Sequence, residues 1–260
     1  MPDQLPEDVF DTEYPVGNDY MSGNRYELGI MSKAGNGWGL IYESTKGVAF
    51  SGGQDYQISN PFLINTIVSH VELNRTFRQA LSQGGYFEPY FGIAYVNISD
   101  RTLEDTSVVV GGAAGQNRFK QNASNSAIGA HVGGRYSVNR GRFRYSADGS
   151  MAAMYNHQRY FAEDLLFIGQ TVGVSELYDT DQSFVPAFDG RVEVAYMLTR
   201  DVGIRGGAQM LYMWDGIARS NNLTTGLNPN SNLGIGSGSV GIYDQSTIAA
   251  GFTFGLEWRR

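Results

Sequence analysis

Residues 126–156 read SAIGAHVGGRYSVNRGRFRYSADGSMAAMYN, and the alternation in this stretch decides the fold. In its first half, 128–138, every second residue is apolar or glycine, and the residues between them include His131 and Arg135. In its second half, 143–155, aromatic, small and apolar residues alternate with arginine, serine and aspartate. A period of two is typical of a β-strand with one apolar face and one polar face. The stretch therefore predicts a hairpin of two long strands.

The same alternation recurs along most of the chain and predicts nine strands. These strands lie at 24–33, 37–44, 64–77, 86–98, 125–138, 141–155, 187–198, 202–214 and 245–258. Charged residues keep to one parity within each strand, with Arg75 as the main exception. Most of the strands reach the 9 to 11 residues that a tilted membrane strand needs, whereas strands in soluble proteins are typically about 5 to 6 residues long.

Aromatic residues near the strand ends favour a membrane environment, because such residues form girdles at the two membrane surfaces. These aromatic residues are Tyr26, Trp38, Tyr155, Tyr196, Trp214 and Trp258. Within lipid only a closed sheet satisfies its own backbone groups. We therefore predict an all-β, antiparallel, up-and-down transmembrane β-barrel. The alternative is a soluble, secreted all-β binding module, built as a sandwich with the apolar face inside.

The lengths of the connections alternate between short and long, as in outer-membrane barrels with short periplasmic turns and long external loops. The short connections are Ala34–Asn36, Arg78–Gly85, Asn139–Arg140 and Thr199–Asp201. The long ones are Ser44–Leu63, Ser99–Ser124, Asn156–Pro186 and Asp215–Asp244. We expect the long connections to be external loops.

Nine strands are an odd number, whereas single-chain bacterial barrels have an even number. We therefore expect about ten strands in the intact protein, with one strand and the signal peptide lost from a truncated N-terminus. Residues 1–23 are expected to form an acidic loop or a disordered segment, and 24–260 the barrel. Alternatively, 48–50 and 55–59 supply an extra short hairpin.

Composition and motifs argue against several other classes of protein. The chain has no cysteine and a net charge of −7, so neither a disulfide framework nor a nucleic-acid-binding surface is expected. Motifs of serine hydrolases, zinc proteases and P-loop proteins are absent, and we predict no catalytic site, metal or cofactor. A second alternative is a hydrolase or acyltransferase at the rim of the barrel, for which His157, with Glu163 and Asp164 nearby, is the candidate.

Fifteen titratable residues share the polar parity and are the candidates for lining a pore. They are Glu27, Glu43, His70, Glu72, Glu88, His131, Arg135, Arg142, Arg144, Asp148, Asp189, Arg191, Glu193, Arg205 and Glu257. Such residues could form a polar permeation path that selects solutes. In a barrel of about ten strands they could equally fill the lumen and pair with one another. Both a narrow porin-like pore and a plugged structural barrel stay open.

Six segments in order resemble the outer-membrane β-barrel porin 7 family of Gram-negative-type bacteria. They are NRYELGIMSKAGNGWGLIYES (24–44), HVELNRTFR (70–78), YFEPYFGIAYVNISDR (86–101), NSAIGAHVGGRYSVNRGRFRYSADGSMAAMYN (125–156), IRGGAQMLYMWDGIA (204–218) and GFTFGLEWRR (251–260). The resemblance implies a barrel in the bacterial outer membrane, part of the cell envelope, and we predict that the protein is not an enzyme. It implies outer-membrane lipid and, through the C-terminal strand, the barrel-assembly machinery as partners. It implies no particular solute and no oligomeric state.

Overall fold

The computed structural model describes residues 22–51, 62–82, 84–110, 113–168, 171–199, 201–220 and 245–258, and these residues are almost entirely β-strand. The strands are β1 (Ser22–Met31), β2 (Asn36–Ser51), β3 (Phe62–Phe77), β4 (Gln79–Ala80), β5 (Gly85–Val110), β6 (Ala113–Arg140), β7 (Phe143–Ile168), β8 (Thr171–Met197), β9 (Val202–Ile217) and β10 (Gln245–Trp258). No helix in this described part of the chain is long and apolar enough to cross a membrane.

Nine of these strands form one antiparallel sheet in which each strand pairs with its neighbours in sequence. The order is β1-β2-β3-β5-β6-β7-β8-β9-β10, and the two-residue β4 pairs with β5. The sheet curls into a half-barrel, which confirms the predicted all-β, antiparallel, up-and-down architecture. Among the described residues β1 and β10 each pair on one side only.

The polarity of the curled sheet is inverted relative to a soluble protein. Large apolar side chains cover the convex face, where Phe254 is 88% exposed and Met151 is 58% exposed. Charged side chains point to the concave interior, where Arg191 is 4% exposed and Glu72 is 3% exposed. The parity predicted from the sequence thus matches the two faces. Arg75 is on the convex face as expected, and its guanidinium lies 5.1 Å from the centre of the Trp38 ring.

Three of the predicted long loops are wrong, because the strands continue far into them. β5 and β6 extend to Val110 and from Ala113, so most of the predicted loop Ser99–Ser124 is a hairpin. β7 and β8 do the same across Asn156–Pro186. In the predicted loop Ser44–Leu63, β2 continues to Ser51 and β3 begins at Phe62. The alternation fails there because neither face of the extended strands is uniformly apolar.

The remaining expectations about connections are mixed. The four predicted short connections lie at one end of the sheet, but their bounds shift. Asn139 and Arg140 belong to β6, so that turn is 141–142, and β4 lies within the predicted connection Arg78–Gly85. Residues 48–50 belong to β2 and do not start a separate hairpin, whereas 55–59 lie outside the described residues. β1 includes Ser22 and Gly23, so the predicted boundary at 23 is two residues late, and 1–21 lie outside the described part. Most of the predicted loop Asp215–Asp244 is also outside it.

Beyond the barrel wall, β5 to β8 form a four-stranded extension at the end of the sheet opposite the short turns, which we call the upper end. β9 pairs with β8 only as far as Ala187, so residues 171–186 of β8 have no described strand partner on that side. Two backbone N–H groups of this segment are bonded by the preceding side chain. Thr180 N donates to Asp179 Oδ1 at 2.8 Å, and Gln182 N donates to Asp181 Oδ1 at 2.7 Å.

Candidate functional site

The concave interior is the candidate site. Its lower part, at the end of the sheet that carries the short turns, is a layer of paired charges centred on Glu27. The Glu27 carboxylate is bonded by Arg191 from β8 and by Arg25 Nε at 2.9 Å. It also lies 3.8 Å from Arg135 Nη2 and 3.6 Å from Arg205 Nη1. One carboxylate therefore holds four guanidinium groups that come from β1, β6, β8 and β9. These contacts hold together distant parts of the curled sheet.

A second carboxylate, Asp148 on β7, shares two of these cations. Asp148 Oδ2 lies 2.8 Å from Arg135 Nη2 and 3.3 Å from Arg191 Nη2. The Tyr90 hydroxyl donates to Asp148 Oδ1 at 2.7 Å. Tyr90 can reach across β6 because Gly133 has no side chain: a Cβ there would lie 2.5 Å from the tyrosine ring. A buried charge of this kind is stable only when its partners are in place.

Smaller pairs complete the charged layer. Glu193 lies 3.6 Å from Arg191, and Glu43 accepts a hydrogen bond from Arg25 at 2.7 Å. The other pairs are His70 with Glu72 (3.1 Å), Arg78 with Glu88 (2.6 Å) and Arg144 with Glu257, in which two guanidinium nitrogens meet the two carboxylate oxygens. Most of the charged side chains of this layer therefore have a partner of opposite charge within the lumen.

Fourteen of the fifteen predicted lining residues face this interior. The prediction is wrong for Arg142. It lies in the turn between β6 and β7, is exposed, and donates to the Tyr196 hydroxyl at 3.3 Å on the convex face, because the strand ends before the alternation would turn it inward. Sequence reasoning missed Arg25, although it shares the parity of Glu27. It also missed Tyr90, whose inward direction the alternation of β5 indicates.

Above the charged layer the interior becomes apolar. This apolar layer consists of Val68, Ala94, Val96, Ile98, Ala127, Met154, Val185, Ala187, Met213 and Ile217. All of these side chains are at least nine-tenths buried. Where the layer meets His70, His131 and Asp189, a cavity of about 10 Å³ remains, which is about the room that one water molecule needs. A larger cavity of about 350 Å³ borders His70 and Asp189 on the side of β1 and β10.

Above the apolar layer, residues 215–220 turn inward and form what we call the plug segment. Met213 pairs with Thr247 and Ile217 pairs with Gln245, so the residues between Met213 and Ile217 bulge out of the β9–β10 ladder. Gly216 has φ +86°, a conformation that glycine adopts without strain. The preceding residue, Asp215, also has a positive φ, of 27°. A Cβ at Gly216 would lie 2.7 Å from Ser183 Oγ. The bulge therefore depends on the absence of a side chain at Gly216.

Three side chains hold the plug segment by a single carbonyl group. Gly216 O accepts from Asn156 Nδ2 at 2.7 Å, Gln158 Nε2 at 2.7 Å and Ser183 Oγ at 2.9 Å. Asn125 binds the next part of the segment through both polar atoms of its side-chain amide. Its Nδ2 donates to Ala218 O at 2.7 Å, and its Oδ1 accepts from Ala218 N at 2.8 Å. These bonds replace the strand pairing that the bulge removes.

The end of the plug segment reaches the opposite wall. Arg219 pairs with Asp100 of β5, and the Thr102 and Ser220 hydroxyl groups are 2.6 Å apart. Nearby, the buried Tyr160 hydroxyl donates to Gln121 Oε1 at 3.2 Å, and burial raises the pKa of the Tyr160 phenol. Sequence reasoning assigned these residues to loops. Their polar side chains share the inward parity, which is the signal that could have identified them.

The structure does not bring together the residues of the rim-enzyme hypothesis. His157 Nε2 accepts from Arg159 Nε at 3.3 Å, and Glu163 pairs with Lys120 at 3.4 Å. His157 and Glu163 are six residues apart on one strand, which is about 20 Å in an extended chain. Within the described residues, no three His, Asp or Glu side chains cluster in a way that could hold a metal ion.

Comparisons with protein families, with curated proteins and with solved structures find no match to this chain.

Proposed function

We propose that this protein is a non-enzymatic β-barrel of a bacterial outer membrane, with a closed interior and strands that extend outside the membrane. The observation that carries the proposal is the inverted polarity of the sheet. A convex face of exposed Phe, Tyr, Trp, Leu and Ile suits lipid, and a concave face of paired charges suits a lumen shielded from it. In water such a convex face would be a large apolar patch, which soluble monomers avoid.

The height of the apolar belt supports the same location. On β7 the convex face is free of charge from Phe143 to Tyr155, and His157 and Arg159 follow directly. Thirteen residues, each rising about 3.3 Å on a strand tilted by about 40°, span about 30 Å, which is the thickness of a bilayer's hydrocarbon core. The belt ends at Tyr155 on one side and at Phe143 and Tyr145 on the other, as interfacial aromatic residues do.

The layered interior favours a plugged barrel over a pore. A layer of mostly paired charges, an apolar layer and the plug segment follow one another along the lumen. An apolar constriction resists the passage of ions, because an ion there loses its hydration without gaining polar partners. We therefore propose that the protein acts through its external strands and not as a diffusion channel for ions.

The upper parts of β5 to β8 continue for about as many residues beyond the belt as they spend within it. In this proposal they lie outside the cell and carry the contacts with other molecules. The partners within the membrane are lipid and, during folding, the barrel-assembly machinery, which would read the aromatic C-terminal strand. Phe252, Phe254 and Trp258 line the lipid side of that strand.

Two measurements test the proposal. The protein should require detergent for extraction and should migrate faster on a gel before boiling than after it, because the folded barrel is compact. A soluble sandwich would need no detergent and would show no such shift. Refolded into a planar bilayer, the protein should give no resolved channel steps. Reproducible unitary steps would refute the closed interior and would return the assignment to a narrow pore.

A further inference from the structure

The convex face carries a cationic patch directly above the apolar belt, and we infer that this patch binds the phosphate monoester of a lipid headgroup. The patch consists of Arg101 on β5, Asn122 and Ser124 on β6, and Arg159 on β7. All four residues share the parity of the convex face, and both arginines are exposed. The inference rests on the proposed function, because only a barrel in a membrane brings this level of the wall against lipid headgroups.

The strand register places the four residues of the cationic patch in one compact group. Arg101 is directly opposite Asn122, and Ser124 is directly opposite Arg159. The two arginines are therefore two strands and two residues apart, which is about 12 Å between their Cα atoms. Each side chain is long enough to cover half of this distance, so both guanidinium groups can reach a single anion above β6. Asn122 and Ser124 lie beneath that position and add an N–H and an O–H donor.

The two cations of the patch have no anionic partner in the described part of the chain. The Arg101 side chain has no hydrogen bond or ion pair with any described residue. Arg159 uses only its Nε, which donates to His157 Nε2 at 3.3 Å, so both terminal nitrogens of its guanidinium group remain available. Further up β7 on the same face, Glu163 already pairs with Lys120 at 3.4 Å. Two unpaired guanidinium groups within reach of one point favour an external anion there.

The two arginines lie at the same height on the wall. Arg101 is 16 residues above Gly85, the first residue of β5. Arg159 is likewise 16 residues above Phe143, the first residue of β7. Both strands rise from the short turns, so the same number of residues brings the two side chains to the same level. An anion between them would therefore lie in a plane parallel to the membrane.

This level coincides with the headgroups of the upper membrane surface. Arg159 is four residues above Tyr155, where the apolar belt ends, and on a strand tilted by about 40° this is about 10 Å along the membrane normal. The headgroup region extends about 5–8 Å beyond the hydrocarbon core. An arginine whose Cα lies just outside this region can extend its side chain down into it. A lipid whose acyl chains lie against the belt would thus bring its headgroup to the patch.

A phosphate monoester is the headgroup anion that fits this set of donors. A guanidinium group presents parallel N–H donors that match two phosphate oxygens. A phosphate monoester carries about two negative charges at neutral pH and has three terminal oxygens that accept hydrogen bonds. It can therefore bind both arginines at once and still accept from Asn122 or Ser124. A phosphodiester has a single charge and one terminal oxygen fewer, so it satisfies the patch less well.

The plug segment fixes the strands of the patch from the other face. Asp100, the neighbour of Arg101, pairs with Arg219 of the plug segment. On β6, Asn125 Nδ2 donates to Ala218 O of the same segment at 2.7 Å. The backbone that carries the patch is thus held in place before a ligand binds, which lowers the cost of ordering the site on binding.

The probe for this inference is phosphatidic acid, a phosphate monoester lipid, added to the refolded chain in a neutral detergent. Native mass spectrometry counts the lipid molecules that each protein molecule retains, and a titration gives the dissociation constant. We expect the Arg101→Gln, Arg159→Gln chain to bind phosphatidic acid at least tenfold more weakly than the unmodified chain. The matched control is Arg140→Gln, Arg142→Gln, which removes two exposed arginines beside a short turn and should bind within twofold of the unmodified chain. Folding of each variant is checked by the gel shift before boiling.

Two further arms identify the anion and its source. Phosphatidylglycerol, a phosphodiester lipid, should bind the unmodified chain at least threefold more weakly than phosphatidic acid. Inorganic phosphate at the same concentration as the lipid should leave phosphatidic acid bound. Unchanged binding in the Arg101→Gln, Arg159→Gln chain, an equal loss in the control, or equal affinity for the two lipids would overturn the inference. Displacement by inorganic phosphate would also overturn it, because the patch would then take a free anion.

The outcome of this test is separate from that of the proposed function. The requirement for detergent and the gel shift are measured without added lipid. A chain that needs detergent and shifts on the gel, but does not retain phosphatidic acid, would refute the lipid site alone. A chain that needs no detergent would refute the membrane location on which the site depends.

Discussion

Replacing Gly216 by alanine should release the plug segment. The residue has φ +86°, where an L-residue costs about 1–2 kcal/mol. The new methyl group would also lie 2.7 Å from Ser183 Oγ and 2.8 Å from Val185 Cγ2. Moving Ser183 away loses its hydrogen bond to Gly216 O, which contributes about 1 kcal/mol. Together these effects favour the released segment by about 2–3 kcal/mol, or about 30- to 150-fold in its population.

Hydrogen exchange measures this release directly. The Ala218 amide donates to Asn125 Oδ1 at 2.8 Å in the plugged state, so it exchanges only when the segment opens. We expect its exchange rate in Gly216→Ala to rise by the same 30- to 150-fold factor. The matched control is Gly190→Ala, on the neighbouring strand, where an added Cβ has nothing within 4 Å and φ is not positive. Exchange in Gly216→Ala within twofold of the unmodified protein, or an equal rise in the control, would refute the role of Gly216.

Three further substitutions test the other layers of the wall. Arg191→Met should destabilise the protein by about 3–5 kcal/mol in urea unfolding from lipid vesicles, because two buried carboxylates lose a shared cation; a loss below 1 kcal/mol would contradict the charged layer. Val132→Arg, in the middle of the apolar belt, should lower the free energy of unfolding by about 2–4 kcal/mol in the same assay. The control Asn139→Arg, beside the turn, should lower it by no more than about 1 kcal/mol. Equal losses would argue against lipid contact. Arg75→Gln should change the fluorescence of Trp38 and cost about 0.5–1 kcal/mol, because it removes a cation 5.1 Å from that ring; an unchanged spectrum would show that the contact does not form.

The barrel wall could be predicted from the sequence wherever its two faces meet different environments. Between Phe143 and Tyr155 every second residue is apolar or small, and the structure puts those residues on the convex face. Above Tyr155 the contrast disappears, because His157 and Arg159 on one face and Gln158 on the other are all polar. A pattern of polarity cannot mark a strand that has no apolar face. The sequence therefore predicts loops where the structure has extended strands.

The partners within the interior could not be predicted for a different reason. Parity shows that Glu27 and Arg191 both point inward, but they are 164 positions apart and meet only because the sheet curls. The plug segment adds a second difficulty. Its inward turn needs a bulge at Gly216, and the tryptophan, aspartate and glycine at 214–216 give no sign of it in a strand that otherwise alternates.

The aspartates of the outer edge of β8 have a consequence for how the protein behaves at high density. A long uncovered strand is normally a template on which further copies stack into fibrils. The Asp179 and Asp181 carboxylates already occupy the Thr180 and Gln182 amides, and Glu176 adds a third negative charge along the same edge. At these two positions an incoming copy would meet like charges and amides that are already bonded. The two aspartates thus disfavour the stacking of further copies on the part of the edge where they lie.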